Sequence, residues 1–355
     1  MSREERKLRK HVEAHARREL RKALSKARVK DWKPPRERVN LSEDENYLPP
    51  VKKNRTATVR ESAAGKIAAP LSAGFVAETG PGFCDVMSAG GLVRCRHTAE
   101  VAVGDQVLFS PARRRIEDVL PRRTVLSRAD PHNPRLERVI AANVDVVVNV
   151  VSLKSPPLRP GLIDRYLIAI GKSGAEPLLC VNKIDLLEGP EELAPLRPYQ
   201  DVGIPVITCS AATGAGLESL SAALAAKLCV FAGHSGVGKS SLLNALDPHL
   251  QITTGSVSDA NEKGRHTTTS SALYKLPNGA TVIDTPGIRE FGLWDVTRDD
   301  LRRYYQEFAA HQCAFSDCTH THEPDCAVKQ AVASGAISEA RYESYARILA
   351  SLAIS

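Results

Sequence analysis

LCVFAGHSGVGKSSLLNAL, residues 228–246, runs from an apolar stretch through a glycine-rich loop into a helix-forming stretch. The loop GHSGVGKS (Gly233–Ser240) has the G-x-x-x-x-G-K-S spacing of a phosphate loop. Gly233, Gly236 and Gly238 let the backbone curl so that successive N–H groups converge, and the helix behind adds its positive N-terminal end. Lys239 is expected to bridge β- and γ-phosphate oxygens, and Ser240 to offer its hydroxyl to Mg2+. The nucleotide-binding set here is Gly233, His234, Ser235, Gly236, Val237, Gly238, Lys239, Ser240 and Ser241. A strand–loop–helix unit of this kind implies a doubly wound α/β domain whose working loops follow strand C-terminal ends.

Other units of that domain lie on both sides of the loop. VDVVVNVVS (from Val144) is a continuous apolar run suited to a buried parallel strand, and Leu162–Gly171 reads as a helix. EPLLCV leads as a strand into NKID (Asn182–Asp185), PVITC into Ser210-Ala211, and Leu217–Lys227 is helical. Downstream come the Thr-rich GRHTTT (Gly264–Thr269) and ATVIDTPG, which ends at Gly287. Together these are the motifs of a guanine-nucleotide site in an unusual order. A base-reading pair precedes the phosphate loop instead of following it, as circular permutation leaves it. Joining old termini that lie close together and cutting elsewhere preserves a packed sheet.

The choice of guanine rests on NKID. Asp185 can accept from guanine N1–H and the 2-amino group, a donor pair that adenine lacks, and a buried carboxylate left unpaired discriminates strongly. Asn182 is expected to hold its loop and meet the base edge, and the stem of Lys183 to lie over the ring. The Ala211 N–H, beside Ser210, is expected to face guanine O6. Asp284 is read as an outer Mg2+ ligand, the Gly287 N–H as a γ-phosphate sensor, and Thr268 as the threonine that closes over Mg2+. Ile288 stands where many GTPases place a water-orienting glutamine, so slow intrinsic hydrolysis is expected. The catalytic set is therefore Lys239, Thr268 and His266, the last either positioning the attacking water or simply facing solvent.

Cys313, Cys318, His320 and Cys326 follow C-x4-C-x-H-x5-C near the C-terminus. Three thiolates and one imidazole form a closed tetrahedral set, the preference of one structural Zn2+. His311 and His322 are spare and expected to be exposed. The remaining cysteines, Cys84, Cys95, Cys180, Cys209 and Cys229, are scattered through strand-like segments and read as buried small hydrophobes, not a disulfide framework.

Short valine-bearing runs with glycine breaks fill residues 55–123. GFVAETGPGFCDVMSAGGLVRCR reads as three strands, and VAVGDQVLFSP (from Val101) as two more about a Gly-Asp turn. Five short strands suit a small barrel of the OB-fold type. Before them lies a basic leader: from Arg3 to Arg38 basic residues outnumber acidic ones by more than two to one, within a net charge of +7 for 355 residues. The charge favours an anionic partner such as nucleic acid. No apolar run reaches the ~18 residues needed to span a bilayer, and no signal-peptide core begins the chain, so a cytoplasmic protein without membrane attachment is expected. The expected parts are a basic extension (1–53), an OB-fold (54–126), a permuted GTPase domain (127–295) and a helical zinc-binding domain (296–355).

With these residues in view the chain resembles the ribosome small subunit-dependent GTPase A family (RsgA, also called YjeQ). The likeness covers residues 54–350 and rests on RVIAANVD, LIDRYL, NKID, GHSGVGKSS, GRHTTT, DTPGIREFGL and CAFSDCTHTHEPDC. It implies a GTP phosphohydrolase that binds the small ribosomal subunit and its rRNA and acts late in subunit maturation, and nothing in the sequence demands more than a monomer. Two other readings are a GTP-controlled binding module with unimportant hydrolysis, and a permuted GTPase serving the large subunit or another RNA. The basic leader departs from the family by its length.

Overall fold

The computed structural model describes residues 70–130, 133, 136–252, 272–284 and 296–352. The basic extension, residues 54–69 of the expected barrel domain, the Thr-rich segment with His266 and Thr268, and Gly287 and Ile288 lie outside them. No helix among the described residues is long and apolar enough to cross a membrane.

Five strands, β1 (Ser72–Gly80), β2 (Phe83–Ser88), β3 (Gly91–Arg96), β4 (Gln106–Ser110) and β5 (Arg115–Val119), close a barrel in the order β1-β2-β3-β5-β4. A β1–β4 antiparallel pairing and a parallel β3–β5 contact complete the OB-fold circuit. Strand alternation sends Val76, Cys84, Val86, Cys95, Val107, Phe109 and Ile116 inward. The fifth strand is not where the sequence pattern suggested. Val101–Val103 belongs to no barrel strand, and the fifth strand is β5, the charged RIEDV stretch, which pairs with β4. The buried Asp105 carboxylate accepts from the Ala102 N–H (2.7 Å) and binds Arg122, fixing this segment as a turn whose Gly104 N–H bonds Val76 O of β1 (2.8 Å). Val103 instead bridges Ala141, so its burial reflects docking on the next unit.

That unit begins with a hairpin of β6 (Val125–Ala129) and β7 (Glu137–Ala142). A six-stranded sheet follows, built from β8 (Val146–Val151), β9 (Glu176–Val181), β10 (Val206–Thr208), β11 (Leu228–Ala232), β12 (Ala272–Lys275) and β13 (Thr281–Asp284). Their order is β10-β9-β8-β11-β13-β12, parallel except for the edge strand β12. The chain reverses direction across the sheet between β8 and β11, the switch point at which such sheets bind ligands.

Helix α1 (Pro160–Ser173) follows β8. Pro160 occupies its first turn, and Gly174, at φ +79°, ends it by donating to Gly171 O. After the short α2 (Arg197–Asp201) come α3 (Leu217–Leu224) and α4 (Lys239–Leu246). The continuous apolar run of β8 serves two cores. Val146, Val148 and Val150 face Leu220 and Leu224 of α3 and Leu242 and Leu243 of α4. Val147 faces Tyr166, Ala169 and Ile170 of α1 on the opposite side.

The C-terminal region adds α5 (Arg298–Leu301), α6 (Ala327–Ala333) and α7 (Glu339–Leu352). Leu301, Tyr305, Phe308, Val328, Tyr345, Ile348 and Leu349 pack together and receive Ile168 from α1. Arg341 of α7 fixes this contact. Its guanidinium, 6% exposed, bonds the Asp164 carboxylate of α1 and reaches Glu307 Oε1 at 2.8 Å. Its carbon also lies 4.5 Å from the Tyr305 ring centroid. Burial opposes the charge, but the Glu307 hydrogen bonds and the Asp164 carboxylate hold Arg341 protonated, above its usual range.

Removing one partner of a buried ion group strands the others, at a cost of about 3–5 kcal/mol. Arg341→Met is expected to lower unfolding stability by about that amount in urea denaturation. Adding Asp164→Leu to the same chain is expected to recover part of the loss. A single Arg341→Met variant as stable as the parent would show that the triad does not hold α7 to α1.

Candidate functional site

The loops at the C-terminal ends of β9, β10 and β11 converge at the switch point, each seated on its neighbours by backbone bonds. Asn182 N–H donates to Val151 O (2.8 Å), Cys209 N–H to Val181 O (2.8 Å) and Ile184 N–H to Cys209 O (3.3 Å). Beneath them the buried thiols of Cys180 and Cys209 touch at 3.3 Å.

Asn182 links the three loops. Its Nδ2 donates to Val237 O in the phosphate loop (2.9 Å), and its Oδ1 accepts from the Ala211 N–H (3.1 Å). The side chain is 2% exposed, so both bonds are made out of water, where an unmade one is costly. The Ala211 N–H, expected from sequence to face guanine O6, here donates to the asparagine. Ser210 Oγ bonds the Asp185 carboxylate and also accepts from Thr213 N–H at 3.1 Å. One oxygen of Asp185 is thereby oriented by the neighbouring loop. Lys183 adopts φ +66°, a conformation uncommon for a residue with a side chain. Its ammonium donates to Ser155 O (2.6 Å) and Gly236 O (2.7 Å), stretching its stem between two loops.

Two glycines of the phosphate loop are demanded by space. At Gly233 (φ +140°) a Cβ would stand 2.2 Å from Val150 O, so the loop's start rests directly on β8. A Cβ at Gly238 (φ +95°) would stand 2.3 Å from the Nδ2 of Asn182 and break the link between loops. Lys239 opens α4 and donates from Nζ to Gly233 O (2.8 Å) and His234 O (2.9 Å), arching back over the loop. Ser240 and Ser241 occupy the first turn of the same helix, and Asp284 ends β13, two strands away from β8.

Sequence reasoning missed the loop between β8 and α1. Besides receiving the Lys183 bond, it presents Arg159 Nη1 at 3.4 Å from His234 Nε2, and Lys154 Nζ meets Glu188 (3.0 Å) and Glu192 (3.1 Å). It therefore ties the phosphate loop to the NKID loop from the outside. The Pro156-Pro157 pair was the available signal of a fixed loop, but nothing in its spacing told which elements it would join.

The second cluster is compact. One donor atom from each of Cys313, Cys318, His320 and Cys326 lies within 4.8 Å of every other. Tetrahedral Zn2+ with bonds of about 2.3 Å to sulfur and about 2.0–2.1 Å to nitrogen sets donors about 3.8 Å (S···S) and about 3.5 Å (S···N) apart. Cys313 Sγ lies 3.7 Å from Cys326 Sγ and 3.5 Å from His320 Nδ1, and Cys326 Sγ is 3.5 Å from the same nitrogen. The quartet thus fits the ion. His320 takes φ +60°, and α7 pins its loop through Tyr342 Oη to His320 O (2.7 Å) and Tyr345 Oη to Thr319 O (3.0 Å). Glu323 closes the loop by accepting from Thr319 and Thr321. Burial works against its charge, and these hydrogen bonds still hold the carboxyl well below the usual range. His322 is exposed as expected, but His311 is half-buried; neither belongs to the quartet.

Comparison with known proteins agrees with this geometry. Residues 119–294 match the family model described as RsgA GTPase. The chain is 41% identical over 317 residues to the small ribosomal subunit biogenesis GTPase RsgA of Chlorobaculum parvum, across 83% of this chain and 99% of that protein. Among solved structures, YjeQ from Thermotoga maritima is 34% identical with a TM-score of 0.66, covering 80% of this chain and 99% of that one. YloQ, described as a circularly permuted GTPase, is 27% identical with a TM-score of 0.63, covering 82% and 98%. Three loops that are out of order along the chain but adjacent in space, and relatives matched over nearly their whole length, lead to one conclusion: the chain belongs to the RsgA GTPase family.

Proposed function

We propose that this protein is a cytoplasmic GTPase that binds the small ribosomal subunit through its rRNA, acts in late subunit maturation and hydrolyses GTP to GDP and phosphate when docked there. The observation that carries the reading is the Asn182 carboxamide, which makes one site of the NKID, Ser210-Ala211 and phosphate loops. Relatives named small ribosomal subunit biogenesis GTPase supply the partner. The division into a basic extension (1–53), OB-fold (54–126), GTPase domain (127–295) and zinc-binding domain (296–355) belongs to the same proposal, as does a monomeric state.

In this reading the backbone N–H groups of Gly233–Ser241 cradle the phosphates, and Lys239 exchanges its carbonyl partners for β- and γ-phosphate oxygens. Asp185, with one oxygen steered by Ser210, reads the guanine donors while Asn182 and Lys183 hold the loops around the base. Mg2+, held by Ser240 and Thr268 with Asp284 behind, would neutralise charge on the phosphates. Gly287 senses the γ-phosphate and His266 positions water, because Ile288 offers no hydrogen bond to it. Zn2+ in the Cys313, Cys318, His320 and Cys326 quartet is structural, since four protein ligands leave no open position.

Exchanging Asp185 for Asn replaces an acceptor with a donor where guanine has donors. Asp185→Asn is expected to weaken GDP binding on the order of a hundredfold to ten-thousandfold and to gain affinity for xanthosine diphosphate, whose C2 carbonyl oxygen accepts from the new amide. Unchanged GDP affinity would remove Asp185 from the site. For the quartet, metal analysis is expected to find one zinc per chain, and Cys326→Ser to lose it together with helical signal from the C-terminal region. A zinc-free protein that keeps that signal would contradict the structural role.

Turnover of GTP by the protein alone, with small subunits and with large subunits tests the whole reading. Strong stimulation by the small subunit alone is the expected result. Stimulation by the large subunit alone would assign the protein to another partner, and none by either would leave a nucleotide-controlled binding module.

A further inference from the structure

The loop from β8 to α1 brings a cation to the phosphate loop that none of the nucleotide motifs contains. Its backbone is tied down along its length. Ser155 N–H donates to Ser152 Oγ (3.2 Å), Leu158 N–H to Leu153 O (3.3 Å), and Ser155 O accepts from Lys183 (2.6 Å). Arg159 then caps α1, its carbonyl accepting from the Leu162 and Ile163 N–H groups at 2.9 and 3.2 Å, and Pro160 fixes the first helical turn. The Arg159 side chain itself is exposed, so the fixed backbone, not burial, keeps it beside the phosphate loop.

Its guanidinium meets His234, the second residue of that loop. His234 Nδ1 lies 2.8 Å from Ser235 O, which can only accept, so Nδ1 carries the ring proton. Nε2 is left to accept from Arg159 Nη1 at 3.4 Å, a long bond to an uncharged group. The carbonyl of the same residue accepts from Lys239 Nζ at 2.9 Å. Lys239 and Arg159 therefore converge on His234, and Lys239 is the group that meets the β- and γ-phosphates in the reading above. Lys154, from the same loop as Arg159, is held by the carboxylates of Glu188 and Glu192, whereas the bond described for Arg159 goes to a neutral imidazole. Phosphate oxygens offer a guanidinium shorter, charge-assisted and paired hydrogen bonds, and so compete successfully with that imidazole.

We propose that Arg159 is a specificity-determining residue that leaves His234 and donates to the terminal phosphate of bound GTP, so that the site holds the triphosphate more tightly than the diphosphate. His234 is where the side chain rests when no γ-phosphate is there to draw it away. Lys239 makes the parallel exchange from the carbonyl of the same residue. The inference rests on the nucleotide site described above and adds to it a side chain from outside its motifs.

The test titrates the full-length protein, with Mg2+ present, against GDP and against a non-hydrolysable GTP analogue, in the parent, Arg159→Ala and Arg159→Lys. Arg159→Ala is expected to bind the GTP analogue about tenfold or more weakly while its GDP affinity stays within about twofold of the parent. Arg159→Lys keeps the charge without the paired donors and is expected to recover part of that loss. Parental affinity for the GTP analogue in Arg159→Ala would overturn the proposal. So would an equal loss for both nucleotides, which marks an arginine that only steadies the phosphate loop through His234. In both of these cases the parent still binds GDP and the guanine-nucleotide reading stands. A parent protein that binds neither nucleotide would overturn that reading, and this proposal with it.

Discussion

A single buried carboxamide joins the three loops of the candidate nucleotide site. Asn182 places its donor on the phosphate loop and its acceptor on the Ser210-Ala211 loop, joining residues 55 and 29 positions away along the chain. Both bonds are shielded from water, so losing either would leave an unpaired buried group. Gly238 has no side chain because that amide occupies the space a Cβ would need. Circular permutation rearranges the order in which the strands are made, but it leaves this junction untouched. The loops need only emerge from neighbouring parallel strands at the same edge, and the run β10-β9-β8-β11 provides that edge.

The same sheet connects the site to the rest of the molecule. Helix α1 leaves β8 through a loop that touches both the phosphate loop and the NKID loop, then buries Asp164 against Arg341 of α7. The next residue and one a turn later on α7, Tyr342 and Tyr345, bond the carbonyls of His320 and Thr319 beside the Cys/His quartet. A continuous set of packed and hydrogen-bonded elements therefore runs from the phosphate loop to the second cluster. It contains two places where a displacement would leave buried polar groups unpaired: the Arg341 triad and the quartet itself.

Much of this was legible in the sequence. The doubly wound domain followed from apolar runs ending in NKID, Ser210-Ala211 and GHSGVGKS, because short apolar runs that lead into such loops suit parallel strands buried on both faces. The quartet followed from spacing, because cysteine and histidine so close together have one common use. The fifth barrel strand was misplaced because VAV alternates like a strand while Asp105 bends it toward a different neighbour. Arg115–Val119, which does complete the barrel, is disguised by its charge. The Arg341–Asp164 contact joins residues 177 positions apart and has no local signal.

These converging loops form the proposed site for guanine nucleotides. Calorimetric titration of the full-length protein with GDP, and separately with ADP, tests it most directly. One GDP bound per chain is expected, with ADP weaker by about a thousandfold or more, since adenine gives Asp185 no donor pair. Equal affinity for the two nucleotides, or binding of neither, would contradict it.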